Sequence, residues 1–121
     1  MKLFILTIIL LAFCSTIKAQ TCDEIMEHVK SLGDGTTYTS CDGDVISKVT
    51  FYGEMINCYE YHFALVCFKQ ENPYDCSEYV YLVESSTETV YSTNYIANAG
   101  QAFLDFIKPH SKNLGCAPNF D

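Results

Sequence analysis

The sequence predicts an α+β domain in which an antiparallel sheet of three or four strands packs with an N-terminal and a C-terminal helix. Three stretches of distinct hydrophobic period carry this expectation. Apolar residues recur at helical spacing over residues 22–32, alternate with a period of two over residues 45–84, and return to helical spacing over residues 95–107. Helices at the two ends of a run of strands suit a layered α+β arrangement better than an alternating, parallel one.

The first helix is the most fully specified element. Thr21 with Glu24 three residues later forms a capping box, in which each side chain satisfies a free backbone N–H at the helix start. Cys22, Ile25, Val29 and Leu32 then share one face. Asp23, Glu24, Glu27, His28 and Lys30 fill the other, and Gly33 ends the helix. Gly33-Asp34-Gly35 and Asp42-Gly43-Asp44 bracket a Thr-rich loop. Beyond it Val45, Ser47, Val49 and Phe51 fall on one face of a strand and Lys48, Thr50 and Tyr52 on the other, with a turn over residues 53–57.

Residues 59–69 set Tyr59, Tyr61, Phe63, Leu65 and Cys67 against Glu60, His62, Ala64, Val66 and Phe68. The second half is apolar on both faces, as a central strand covered from both sides requires. Asn72-Pro73 and Asp75 supply turn chemistry before a third strand over residues 78–84. The Ser/Thr-rich residues 85–93 read as a loop or as a short edge segment around Val90-Tyr91. Tyr95, Ile96, Ala99, Ala102, Phe103, Phe106 and Ile107 then make a broad helical stripe that Pro109 terminates. The small Ala99, Gly100 and Ala102 let this helix lie close to the sheet.

Residues 1–19 read as an export signal. Lys2 precedes an apolar run over residues 3–13, broken only by Thr7, and Ile17-Lys18-Ala19 before Gln20 suits a signal peptidase. This run of eleven residues is well short of the roughly 20 that span a bilayer as a helix, so no stable anchor is expected after cleavage. Phe13 before Cys14 disfavours a lipoprotein signal, which wants a small residue there. The expected product is a secreted or periplasmic domain over residues 20–121, long enough for one core and too short for two. Lys2 and Lys18 leave with the leader, so seven basic residues become five against fifteen acidic ones, and the net charge moves from −8 to about −10. Every basic side chain is a lysine. Without arginine or a basic cluster, nucleic-acid binding is disfavoured.

Loss of Cys14 leaves six cysteines of seven, and in an oxidising compartment these are expected to pair with no free thiol. Cys22, Cys41, Cys58, Cys67, Cys76 and Cys116 are the candidates. Cys67 and Cys76 flank the Asn72-Pro73 turn symmetrically, and a bond from Cys22 to Cys116 would pin both ends of the chain to its body. Cys58, Cys67 and Cys76 are each nine apart and no Cys-x-x-Cys occurs, so zinc is not expected. His28, His62 and His110 lie among polar or helix-breaking neighbours with no nucleophile fixed nearby by motif. No nucleophile elbow, phosphate loop or His-Glu-x-x-His pattern is present, and Asp42-Gly43-Asp44 lacks the spacing of a calcium loop. No enzyme, metal site or cofactor is therefore expected.

Tyrosine is the unusual residue, with nine in the chain. Tyr59, Tyr61, Tyr79 and Tyr81 alternate along predicted strands, so each pair would form a ladder on one sheet face. Tyrosine also offers rigid amphipathic contact area to proteins, peptides or sugars, which makes these four the candidate binding residues.

Tyr79-Val80-Tyr81-Leu82-Val83, then Val90-Tyr91, then Ala97-Asn98-Ala99-Gly100-Gln101-Ala102-Phe103-Leu104-Asp105-Phe106-Ile107 resembles the KTSC domain family, short domains with a central Tyr-x-Tyr. The likeness covers residues 47–110. The leader, the Thr21-Cys22 start and the closing Leu114-Gly115-Cys116-Ala117-Pro118 are also similar to small exported proteins of Bacteroidota that carry such a domain. The resemblance implies a fold and no established activity. RNA binding, suggested for the family, conflicts with an acidic chain lacking arginine. The expected function is a non-enzymatic binding or interaction module for an envelope protein or glycan. The alternative is a periplasmic inhibitor or immunity-type protein steered onto a basic partner by its acidity.

Overall fold

A computed structural model describes residues 21–41, 45–70 and 76–114. The fold is α+β: one five-stranded antiparallel sheet in the order β1-β2-β3-β4-β5, with a helix on one face and a run of short helices on the other. Export of residues 1–19 and a partner at Cys116 lie outside the described residues.

Helix α1, Cys22–Ser31, starts as its sequence requires, with Thr21 Oγ1 accepting from the Glu24 N–H at 3.2 Å. Only half of the capping box forms. The Glu24 carboxylate instead accepts from the Thr21 hydroxyl at 3.2 Å. Asp23 and Glu24 in the first turn and His28 and Lys30 in the last complement the helix dipole. Val29 is fully buried, and Ile25, Met26 and Leu32 pack with it onto Phe63, Leu65 and Val80 of the sheet.

The expected Thr-rich loop is instead strand β1, Thr36–Thr39, which pairs with β2, Ile46–Ile56. Four polar, β-branched or aromatic residues suit an edge strand with one solvated side. Ile46 is fully buried while Val45 is 64 % exposed, the reverse of the strict alternation expected from Val45 onward. A register shift between Ile46 and Lys48 against β3 explains it, because an extra residue at a bulge exchanges the two faces. The strand also runs through Gly53 to Ile56, so the turn before β3 is only Asn57-Cys58.

Strand β3, Tyr59–Lys69, is central as predicted, and its residues Phe63, Ala64, Leu65, Val66 and Cys67 are all buried. It pairs with β4, Cys76–Val83. Beyond β4 the ambiguous Val90-Tyr91 segment is neither loop nor strand but helix α2, Thr87–Asn94. Its weak apolar period conceals a single anchor. Tyr91 is wholly buried, with the rings of Phe51 and Tyr95 5.7 and 5.4 Å away.

The predicted last helix forms in three short pieces: α3, Ala99–Ala102, a π-helical turn, Phe103–Ile107, and a 3-10 turn, Lys108–His110. Asn98 caps it by accepting from the Gln101 N–H at 3.0 Å, so Tyr95 and Ile96 fall outside. A short unpredicted strand β5, Ser111–Asn113, then adds to β4. Ala99, Ala102, Phe103 and Ile107 bury this segment against Val49, Phe51, Ala64, Val66 and Tyr81.

Candidate functional site

The sheet is not equally deep along its width. β1 reaches β2 only as far as Phe51, and β4 reaches β3 only from His62. Beyond those points β2 and β3 pair only with each other, and within residues 52–61 the self-paired part, Glu54 to Tyr61, is a two-stranded ribbon that stands about 10 Å beyond the sheet, at roughly 3.4 Å per residue. Asn57 and Cys58 make its turn with φ of 50° and 69°. Two consecutive residues in the left-handed region match the twist of a two-residue hairpin, a role that Asn-Gly usually fills.

This ribbon collects the largest exposed apolar side chains of the sheet. Tyr59 is 70 % exposed, Met55 67 %, Ile56 39 % and Tyr61 37 %. Ile56 lies opposite Tyr59, and Glu54 opposite Tyr61. The ribbon's two carboxylates each face an imidazole: Glu54 accepts from or pairs with His28 Nε2 at 2.8 Å, and Glu60 lies 3.5 Å from His62 Nε2. The first of these contacts ties the root of the ribbon to α1.

Of the four candidate tyrosines only Tyr59 and Tyr61 lie here. Tyr79 and Tyr81 are on the opposite face of the sheet, where Val66 and Ala64 stand across from them and leave room for their rings. Tyr79 is half-buried against Phe68 at 5.6 Å, and Tyr81 is 3 % exposed, 5.4 Å from the ring of Phe103. Burial, and secondarily the neighbouring Tyr79, pushes the Tyr81 hydroxyl up to about 12. The sequence missed Met55 and Ile56, which had been assigned to a turn. The signal was available in the apolar pair immediately before Asn57.

The cysteines divide in a way that overturns complete pairing. Cys67 and Cys76 form a disulfide with Cα atoms 5.4 Å apart. They are diagonal rather than directly opposite, since Cys67 faces Glu78 and Cys76 faces Lys69. Cys22 is also disulfide-bonded, while Cys41 and Cys58 are free and exposed. Geometry forbids the last two from joining. Cys41 follows Ser40, which bonds Ser47 at the start of β2, and Cys58 lies past its end. The strand between them is roughly 30 Å long, against a Cα separation of about 4.4–6.8 Å in a disulfide.

A cavity of about 310 Å³ is lined by Leu82, Val83, Glu84, Pro109, His110 and Ser111. Its three polar side chains are not assembled for catalysis: no ion pair joins His110 to Glu84 among the described residues, and the Ser111 hydroxyl donates to the Lys108 carbonyl at 3.0 Å. No hydrogen bond or ion pair among the described residues joins either free thiol to a histidine. Nor do three or more His, Cys, Asp or Glu side chains converge as a metal site among them. No helix of the described residues is long and apolar enough to cross a membrane. Comparison with known proteins finds no matching family model, curated protein or solved structure.

Proposed function

We propose that this chain is an exported, non-enzymatic interaction module that engages a partner protein through the hairpin at residues 52–61. The observation that carries this is the ribbon's combination of open edges and exposed Met55, Ile56, Tyr59 and Tyr61. An edge strand that must stay solitary is ordinarily blunted by lysine, proline or a bulge. This ribbon has no lysine or proline, its ladder is regular from Lys48 to Tyr59, and of its two carboxylates Glu54 is held by His28 of α1 while Glu60 stays exposed. Exposed N–H and C=O groups beside aromatic anchors suit addition of an extended strand, with backbone bonds giving affinity and side-chain pockets giving selectivity. Export is supported by the Cys67–Cys76 bond, which persists in oxidising compartments. KTSC-like membership is part of the proposal, because the stretch that carries the likeness folds as one strand with the helices packed on it.

Site-specific photo-crosslinking in the native host tests this reading. A benzophenone side chain at Tyr59 is expected to give discrete adducts with one protein partner. The same group at Thr89, on exposed α2, gives none. Equal or absent adducts from the two positions would remove the hairpin as the binding element.

A further inference from the structure

At the opposite end of β2 from the hairpin, a groove of about 440 Å³ separates the sheet from the C-terminal helical segment. Its volume falls in the usual range for small-molecule sites, about 300–1,000 Å³. Val45, Ile46 and Phe68 form the sheet wall, and Gly100, Phe103 and Leu104 form the helical wall. Among the described residues the lining contains no charged side chain, although the chain carries fifteen acids and seven bases. Phe68 and Phe103 meet edge to face at 5.2 Å, while Val45 and Leu104 stay 64 % and 46 % exposed, an apolar mouth open to water.

Two structural features keep the groove in this shape. A Cβ on Gly100 would come within 2.8 Å of Val45 Cγ2, so the two walls approach here at a distance only glycine permits. Phe103 and Leu104 also begin the π-helical turn. Such turns are rare, and they are found frequently at functional sites. Among the described residues the polar side chains of the lining are two amides. Asn98 uses its oxygen as the helix cap and Gln101 uses its nitrogen on Asp105 at 2.8 Å, which leaves an N–H donor on Asn98 and a carbonyl acceptor on Gln101.

We propose that this groove is a binding site for an uncharged, predominantly apolar small molecule carrying one hydrogen-bonding group of amide or arylamine type. The apolar walls supply affinity, and the two spare amide functions orient the polar group. Among the described residues of the lining an anion finds no cation and a cation finds no carboxylate. This inference rests on different residues from the hairpin reading and stands or falls apart from it.

Fluorescence titration of the purified protein with the neutral dye N-phenylnaphthylamine tests it. Saturable one-to-one binding is expected. Val45→Asp and Leu104→Glu, both at exposed positions that spare the fold, are expected to weaken it about tenfold or more by placing a charge on an apolar wall. Anilinonaphthalenesulfonate, the same skeleton with a negative charge, is expected to bind more weakly, and Tyr59→Ser to leave binding unchanged. Circular dichroism verifies that each variant is folded, and methyl shifts of Val45 and Leu104 on dye addition locate the site without any substitution. Absent saturation, unaltered affinity in both charged variants, parallel loss in Tyr59→Ser, or equal affinity for the sulfonate would each overturn the proposal.

Discussion

Removing the buried hydroxyl of Tyr81 is expected to stabilise this protein. The side chain is 3 % exposed, and its oxygen has no hydrogen-bond partner among the described residues. An unpaired hydroxyl taken out of water costs about 1–3 kcal/mol by mutational measures. Tyr81→Phe retains the ring against Phe103 and leaves a void of roughly 10–15 Å³, which costs about 0.3 kcal/mol at ~24 cal/mol per Å³. The net gain is about 1–2 kcal/mol, and each kcal/mol raises the midpoint of a domain this size by roughly 4–8 °C. Urea unfolding followed by circular dichroism measures it as a higher midpoint at constant slope. The pH dependence gives a second reading. Because the folded-state value of about 12 lies above the ordinary 10.0, the wild type keeps its full stability below pH 10 and loses this contribution as pH rises toward 12. The variant lacks that loss. A lower urea midpoint for Tyr81→Phe would show that the hydroxyl is satisfied, and the same alkaline decline in both proteins would show that it ionises without a burial penalty; either would refute the reasoning.

Replacing Cys67 and Cys76 together with alanine opens a loop closed across nine residues and should cost about 2–3 kcal/mol, read as a lower urea midpoint; an unchanged midpoint would count against a constraining bond. Iodoacetamide on the native, unreduced protein should modify Cys41 and Cys58, and Cys67 and Cys76 only after reduction, with peptide mass mapping as the readout. Protection of either exposed thiol would contradict its assignment as free. Cys58→Gly should raise stability by about 0.5–1 kcal/mol, since glycine occupies a φ of 69° without the steric penalty of a Cβ. A destabilised Cys58→Gly would mean that the thiol holds the turn together.

What the sequence made legible was the periodic part of the fold. Val29 with Ile25 and Leu32, and the two-sided run from Phe63 to Cys67, announce their burial by spacing alone, and the structure buries Val29 and the run and half-buries Ile25 and Leu32. Elements held by one contact were not legible in that way. Helix α2 rests on one buried aromatic, Tyr91, beside a buried Thr87, and β1 and β5 are edges too short to establish a period. The bulge after Ile46 reversed an otherwise sound alternation, because one inserted residue leaves no mark in composition.

The tyrosines were half legible for a related reason. The symmetric turn between Cys67 and Cys76 implies a register in which odd-numbered residues of β3 face even-numbered residues of β4, and the observed pairs Ala64 with Tyr81 and Val66 with Tyr79 keep that parity. Tyr59 and Tyr61 were therefore bound to fall on the other face from Tyr79 and Tyr81. The nine-residue cysteine spacing already contained that separation. Which pair stays exposed depends on strand length instead, because β4 stops at Val83 and leaves Tyr59 and Tyr61 on the overhang.

An isolated two-stranded ribbon is marginally stable in water, so a hairpin used for binding would lose much of its affinity in ordering itself. Here the root is fixed from beneath. His28 of α1 holds the Glu54 carboxylate, whose side chain is only 18 % exposed, and Tyr52 packs into the cluster under the same helix. Tight anchorage at the base contrasts with a tip that gives up stability by placing Asn57 and Cys58 in the left-handed region and leaving apolar side chains in water. Local cost above a rigid support is the distribution expected where contacts are reserved for a partner, and it is the opposite of what packing alone would select. Disrupting the clasp with His28→Ala should therefore loosen residues 52–61 to hydrogen exchange and weaken crosslinking from Tyr59 together, whereas a hairpin that needs no preorganisation would lose protection and keep its adducts.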